Sequence, residues 1–75
     1  MKLDHLRYFD RLADMLSYTN AAKSLYIAQP TLSAAIKRME QEVGLTLFRR
    51  AEGVASGVEL TEQGRIFHEY VVQAL

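Results

Sequence analysis

A chain of 75 residues with no net charge is one small domain, which buries only about 60% of the surface its unfolded chain exposes and leaves no room for a deep site around a bulky substrate. It contains no cysteine, which excludes a disulfide framework and a thiolate metal cluster and suits a reducing, intracellular compartment. Its two histidines, His5 and His68, stand too far apart in sequence to form a ligand pair and read as surface residues on helices.

In the first segment Leu3, Leu6, Phe9, Leu12, Ala13 and Leu16 recur every three or four residues, the period of one buried helical stripe. Asp4, Arg7, Asp10, Arg11 and Asp14 interrupt it, so it is neither the apolar region of a signal peptide nor a membrane span. The expected protein is soluble, cytoplasmic and without a membrane partner. The stripe runs out at SYTN, where Thr19 is the best placed side chain to cap a short second helix, NAAKSLY, with Ala21, Ala22 and Leu25 on its apolar side. A tight connection follows. Pro30 reads as the first position of a third helix with Gln29 just outside it, and Gly44 as its left-handed stop, giving a helix over Pro30 to Val43.

At about 3.6 residues per turn, Leu32, Ile36, Met39 and Val43 cluster in one sector of that helix, with Ser33, Ala34, Lys37 and Gln41 roughly opposite and Thr31 and Arg38 flanking them. Beyond Gly44 the pattern changes to LTLFRR, AEGVASG and VELT, two short extended runs around a long turn, which reads as a hairpin. Thr61, with Glu62 in the first turn, caps a final helix whose apolar side is Ile66, Phe67, Tyr70, Val71 and Ala74.

A pair of helices joined by a tight turn and followed by a hairpin is the winged helix-turn-helix plan, a mainly α fold of three helices, a two-stranded wing and a further helix. In it the second helix of the pair enters a major groove of double-stranded DNA. The outward residues of helix three suit that role, being short hydroxyls and amides near its start and cations further along. Charge is mildly asymmetric in the same direction. From Gln29 to Arg50 four basic residues face two acidic ones, a net of +2, and the remainder of the chain carries −2.

The stretch AAKSLYIAQPTLSAAIKRMEQEVGLTLFRR, with LTEQG after it, resembles the N-terminal DNA-binding domain of LysR-type transcriptional regulators. The matching positions are Ala21, Ala22, Leu25, Gln29, Pro30, Leu32, Ser33, Ile36, Glu40, Gly44, Leu47, Phe48, Arg50, Leu60, Thr61 and Gly64. The likeness covers essentially the whole chain. It implies a bacterial regulator in which residues 1–60 form the DNA-binding head and 61–75 the start of a linker helix, cut off at Leu75. A two-lobed effector domain, absent from this chain, would alone bind a small-molecule inducer. The implied assembly is a homodimer, joined through Ile66, Phe67, Tyr70, Val71 and Ala74, that reads an interrupted inverted repeat, with a tetramer as the larger state of the full-length protein.

The residues expected to meet DNA are Gln29, Pro30, Thr31, Ser33, Ala34, Lys37, Arg38 and Arg50. Of the two wing arginines, alternation puts Arg49 and Arg50 on opposite faces, and the family match selects Arg50. Glu40, Gly44 and Gly64 read as structural. The chain also departs from the family pattern. Ala34 and Ala35 stand where Arg and Gln are frequent, the wing turn carries Glu52 and no cation, and Tyr26 occupies a turn position at which many helix-turn-helix proteins place Gly. No nucleophile and base at motif spacing and no phosphate-cradling glycine loop mark an enzyme, and no cofactor or metal is expected. The rival reading is a winged helix that serves as a protein-interaction module without binding DNA.

Overall fold

The computed structural model describes all residues, Met1–Leu75. Helix α1, Leu3–Met15, buries Phe9, Leu12 and Ala13 and stops where Leu16 turns left-handed, at φ 53°, with its amide on the Leu12 carbonyl. The buried stripe is narrower than the periodicity predicts, because Leu3 and Leu16 are 53% and 41% exposed. Leu3 opens the first turn, and Leu16 leaves the helix to accept a hydrogen bond from the amide of Val58 (3.1 Å).

Helix α2 spans Tyr18–Leu25, and its cap is Ser17, whose hydroxyl accepts from the amide of Asn20 at 3.2 Å. This corrects the expected Thr19 cap. The chain at Ser17 is already extended because it bridges Gly57 of the hairpin, while the amide of Tyr18 bonds the carbonyl of Ser56 (3.1 Å). Thr19 is thereby left inside the first helical turn. Tyr26 ends α2 in the left-handed region, at φ 57°, with its side chain 96% exposed. The glycine usual at such a turn is therefore replaced by a residue that bears the strain of positive φ.

Helix α3 runs Gln29–Val43 from Ala28 as its cap, so it starts one residue before the expected Pro30. Pro30 keeps its sense at the second position, since the first amides of a helix have no intrahelical acceptor to lose. Leu32, Ala35, Ile36 and Met39 are buried, and Gly44 ends the helix at φ 72°. The strands are β1, Phe48–Arg50, and β2, Val58–Leu60. They pair antiparallel with Phe48 opposite Leu60, Arg49 opposite Glu59 and Arg50 opposite Val58.

Two side chains lock the hairpin to the helices. The Glu40 carboxylate accepts from the amides of Leu47 (2.6 Å) and Phe48 (3.2 Å), fixing the entry to β1 from α3. Thr61 donates to the carbonyl of Thr46 (2.6 Å) and accepts from the amide of Gly64 (2.9 Å), capping α4, Glu62–Ala74. Gly64 is required here, because a Cβ at that position would overlap the carbonyl oxygen of Leu47.

The core centres on Phe9, whose ring lies 5.1 Å from that of Phe48 and 5.1 Å, edge-on, from that of Phe67. Leu12, Leu32, Ile36, Met39, Leu47 and Val71 are the other large side chains that are fully buried. Such rings at 4.5–7 Å, tilted or edge-on, are the favoured geometry for aromatic packing. The five apolar residues of α4 consequently divide. Val71 is 2% exposed, and Phe67 is half-buried and packs against the core. Ile66, Tyr70 and Ala74 are exposed. Both histidines are half-buried rather than on the surface, and His68 Nε2 stands 3.1 Å from the Asp10 carboxylate, tying α4 to α1. No helix is long and apolar enough to cross a membrane.

Candidate nucleic-acid interface

Burying Leu32, Ala35, Ile36 and Met39 turns the rest of α3 outward. Gln29, Pro30, Thr31, Ser33, Ala34, Lys37 and Arg38 are all exposed, and they form one convex face that begins with an amide and hydroxyls and ends in two cations. The acids of the same helix do not neutralise it. Glu40 is occupied by the amides of Leu47 and Phe48, and Glu42 lies 3.7 Å from the N-terminal ammonium of Met1. Lys37 and Arg38 enter no ion pair.

The wing arginines are treated differently by the register. Arg49 faces Glu59 across the hairpin and pairs with it, Nε to Oε1, at 2.7 Å. Arg50 faces Val58, has no carboxylate partner, and together with Arg49 borders a cleft lined by Tyr18, Gln29 and Ser56. The hairpin thus brings one free guanidinium alongside the start of α3. Burial pushes the Tyr18 phenol above its ordinary value, and the charge of Glu40 adds to the effect.

A second crevice, on the other flank of α3, is lined by Lys2, Asp4, His5 and Tyr8 of the N-terminal segment with Thr31, Ala34 and Arg38, and Asp4 forms no ion pair with either cation. Lys2 is a cation near the helix face that the sequence reading placed with the rest of the chain. Its position depends on the packing of α1 against α3, for which the sequence held no signal. Thr19, which by sequence is a helix cap, lies close to the start of α3 instead. Its Oγ1 lies 3.2 Å from Gln29 Oε1 and 3.1 Å from Ser56 Oγ. No three His, Cys, Asp or Glu side chains stand close enough to hold a metal ion.

A helix pair with a tight turn, a two-stranded hairpin braced to it and a polar, cationic outer face on the second helix define a winged helix-turn-helix module. The model of bacterial regulatory helix-turn-helix proteins of the LysR family matches residues 3–65. The chain belongs to the LysR family of bacterial regulatory helix-turn-helix proteins.

Among relatives it is 54% identical over 69 residues to the HTH-type transcriptional regulator BudR of Klebsiella aerogenes, covering 92% of this chain and 46% of that one. It is 40% identical over 75 residues to the HTH-type transcriptional regulator BenM of Acinetobacter baylyi, covering 100% of this chain and 24% of that one. The chain thus spans less than half the length of these curated relatives. Among solved structures, the BenM DNA-binding domain in complex with catB site 1 DNA is similar with a TM-score of 0.88 and 39% identity, over 99% of this chain and 76% of that one. The CbnR DNA-binding domain in complex with DNA is similar with a TM-score of 0.90 and 30% identity, over 99% of this chain and 82% of that one.

Proposed function

We propose that this chain is the double-stranded DNA-binding head of a bacterial transcriptional regulator, with α3 seated in the major groove. The observation that carries the reading is the unneutralised outer face of α3, where Lys37 and Arg38 stand without acidic partners while both acids of the helix are engaged elsewhere. In this reading Lys37, Arg38 and Arg50 contact phosphates, which supplies affinity without sequence information. Gln29, Thr31 and Ser33 supply donors and acceptors for base edges, and Pro30 and Ala34 supply apolar contact for a thymine methyl. The likeness to BenM and CbnR domains in DNA complexes supports this placement of the helix.

Residues 1–60 would then be the head and residues 61–75 the start of a linker helix. Two copies would meet through the exposed Ile66, Tyr70 and Ala74 and read an interrupted inverted repeat with half-sites in successive major grooves. The whole regulator, including a small-molecule inducer held by an effector domain and assembly beyond the dimer, is proposed on the same ground. The protein-interaction alternative draws on the zero net charge, but it leaves the free cations of α3 unexplained.

Fluorescence anisotropy with a labelled duplex at graded salt tests the proposal. Lys37→Glu with Arg38→Glu should weaken binding by more than about tenfold near 0.1 M salt, because two phosphate contacts become repulsions. Binding that is absent in the unaltered chain, or indifferent to the reversal, would sink it.

A further inference from the structure

The wing turn from Ala51 to Gly57 holds Glu52 and no cation, so it offers nothing to a phosphate. It does hold Ser56, in the left-handed region at φ 56°, with its carbonyl accepting from the amide of Tyr18 (3.1 Å). That bond brings the turn against the first turn of α2. Ser56 Oγ then lies 3.1 Å from Thr19 Oγ1, which itself lies 3.2 Å from Gln29 Oε1.

A threonine hydroxyl has one proton, and an amide carbonyl oxygen can only accept. One arrangement of protons satisfies both contacts: Ser56 donates to Thr19, and Thr19 donates to Gln29 Oε1. Gln29 is the first residue of α3 and is exposed. With its carbonyl oxygen held toward Thr19, the other arm of the planar amide, the NH2 group, is the one left for a partner outside the protein.

We infer that Thr19, backed by Ser56 of the wing turn, is a positioning residue that locks the Gln29 amide so that it presents N–H donors rather than a carbonyl to DNA. This rests on the reading of α3 as the groove helix. In the major groove guanine offers O6 and N7, thymine O4 and adenine N7 as acceptors, whereas cytosine offers only its N4 donor. An unrestrained glutamine can turn its amide over and accept from cytosine. The locked one cannot, so the hydroxyl relay disfavours cytosine at one position. The wing thereby enters sequence discrimination without itself touching the duplex.

Thr19→Val keeps the shape of the side chain and removes its hydroxyl, and Thr19→Ser restores the hydroxyl. The first readout needs no DNA: nitrogen relaxation of the Gln29 side-chain amide should show restricted motion in the unaltered chain and in Thr19→Ser, and free motion in Thr19→Val. The second is selection from a random duplex pool, with Gln29→Ala marking the base pair at which that residue acts. Thr19→Val should lower discrimination against cytosine there by about two- to tenfold, the range of one net hydrogen bond. Affinity for random duplex and its salt slope should not move, and Ser56→Ala should give a smaller change in the same direction. An equally mobile Gln29 amide in the unaltered chain and Thr19→Val, unchanged cytosine discrimination, or an equal loss on random duplex would each overturn the inference. If no duplex is bound at all, the groove reading fails, and the relaxation data still decide whether the lock exists.

Discussion

The outer face of α3 and the wing hairpin are built from similar residues and treated in opposite ways. On α3 the polar groups are left open: Ser33, Thr31, Lys37 and Arg38 are exposed, and both neighbouring acids are committed to amides or to the N-terminus. In the wing they are mostly consumed. Arg49 is paired to Glu59, the carbonyl of Ser56 and the amide of Val58 are bonded to the α1–α2 connection, and Arg50 is the one wing cation left free. A cation that already has a carboxylate neighbour gains less from a phosphate and releases fewer counterions on meeting one. In a chain of zero net charge, the proposed interface is therefore marked by which cations lack partners, and their number says little.

The contrast depends on a frame that holds helix and wing together, and the strongest way to break it is at Gly64. Gly64→Ala places a Cβ on the carbonyl oxygen of Leu47, which forces β1 and α4 apart. Stability to urea should fall by about 3 kcal/mol, with both surfaces disturbed at once. Glu40→Ala should cost somewhat less, about 2 kcal/mol, since the amides of Leu47 and Phe48 lose a charged acceptor. That loss should appear in chemical denaturation and as faster amide exchange at Leu47 and Phe48, while α3 keeps its helicity. Smaller again is the cap: Ser17→Ala should cost about 1 kcal/mol. Thr19→Ala should cost less, because its hydroxyl serves Gln29 and not the helix end.

The helices and the hairpin were legible because their signals are local: a stripe at helical spacing, a proline near a start, a glycine at a stop. What could not be read was set by distant residues. Ser17, Thr19 and Asn20 are all competent caps, and the choice falls to Ser17 because Gly57, some forty residues later in the chain, bridges it into an extended conformation. The apolar residues of α4 were visible, but only packing against the core separates Phe67 and Val71 from Ile66, Tyr70 and Ala74. Alternation separated Arg49 from Arg50, and the register opposite Glu59 was needed to see which of them is neutralised. Glu40 and Gly64 read as structural from the sequence, and their reasons, two amides and one carbonyl, emerge only in three dimensions.

The most direct measurement compares the two wing arginines, which are adjacent in sequence and differ in their partners. Affinity for a duplex of random sequence is followed across a range of salt for the unaltered chain, Arg50→Ala and Arg49→Ala. If unpaired cations make the interface, Arg50→Ala flattens the slope of log K against log salt by about 0.9 and Arg49→Ala leaves it in place. A flattened slope for Arg49→Ala with none for Arg50→Ala would contradict the account, because the paired cation would then be the one that meets the phosphate.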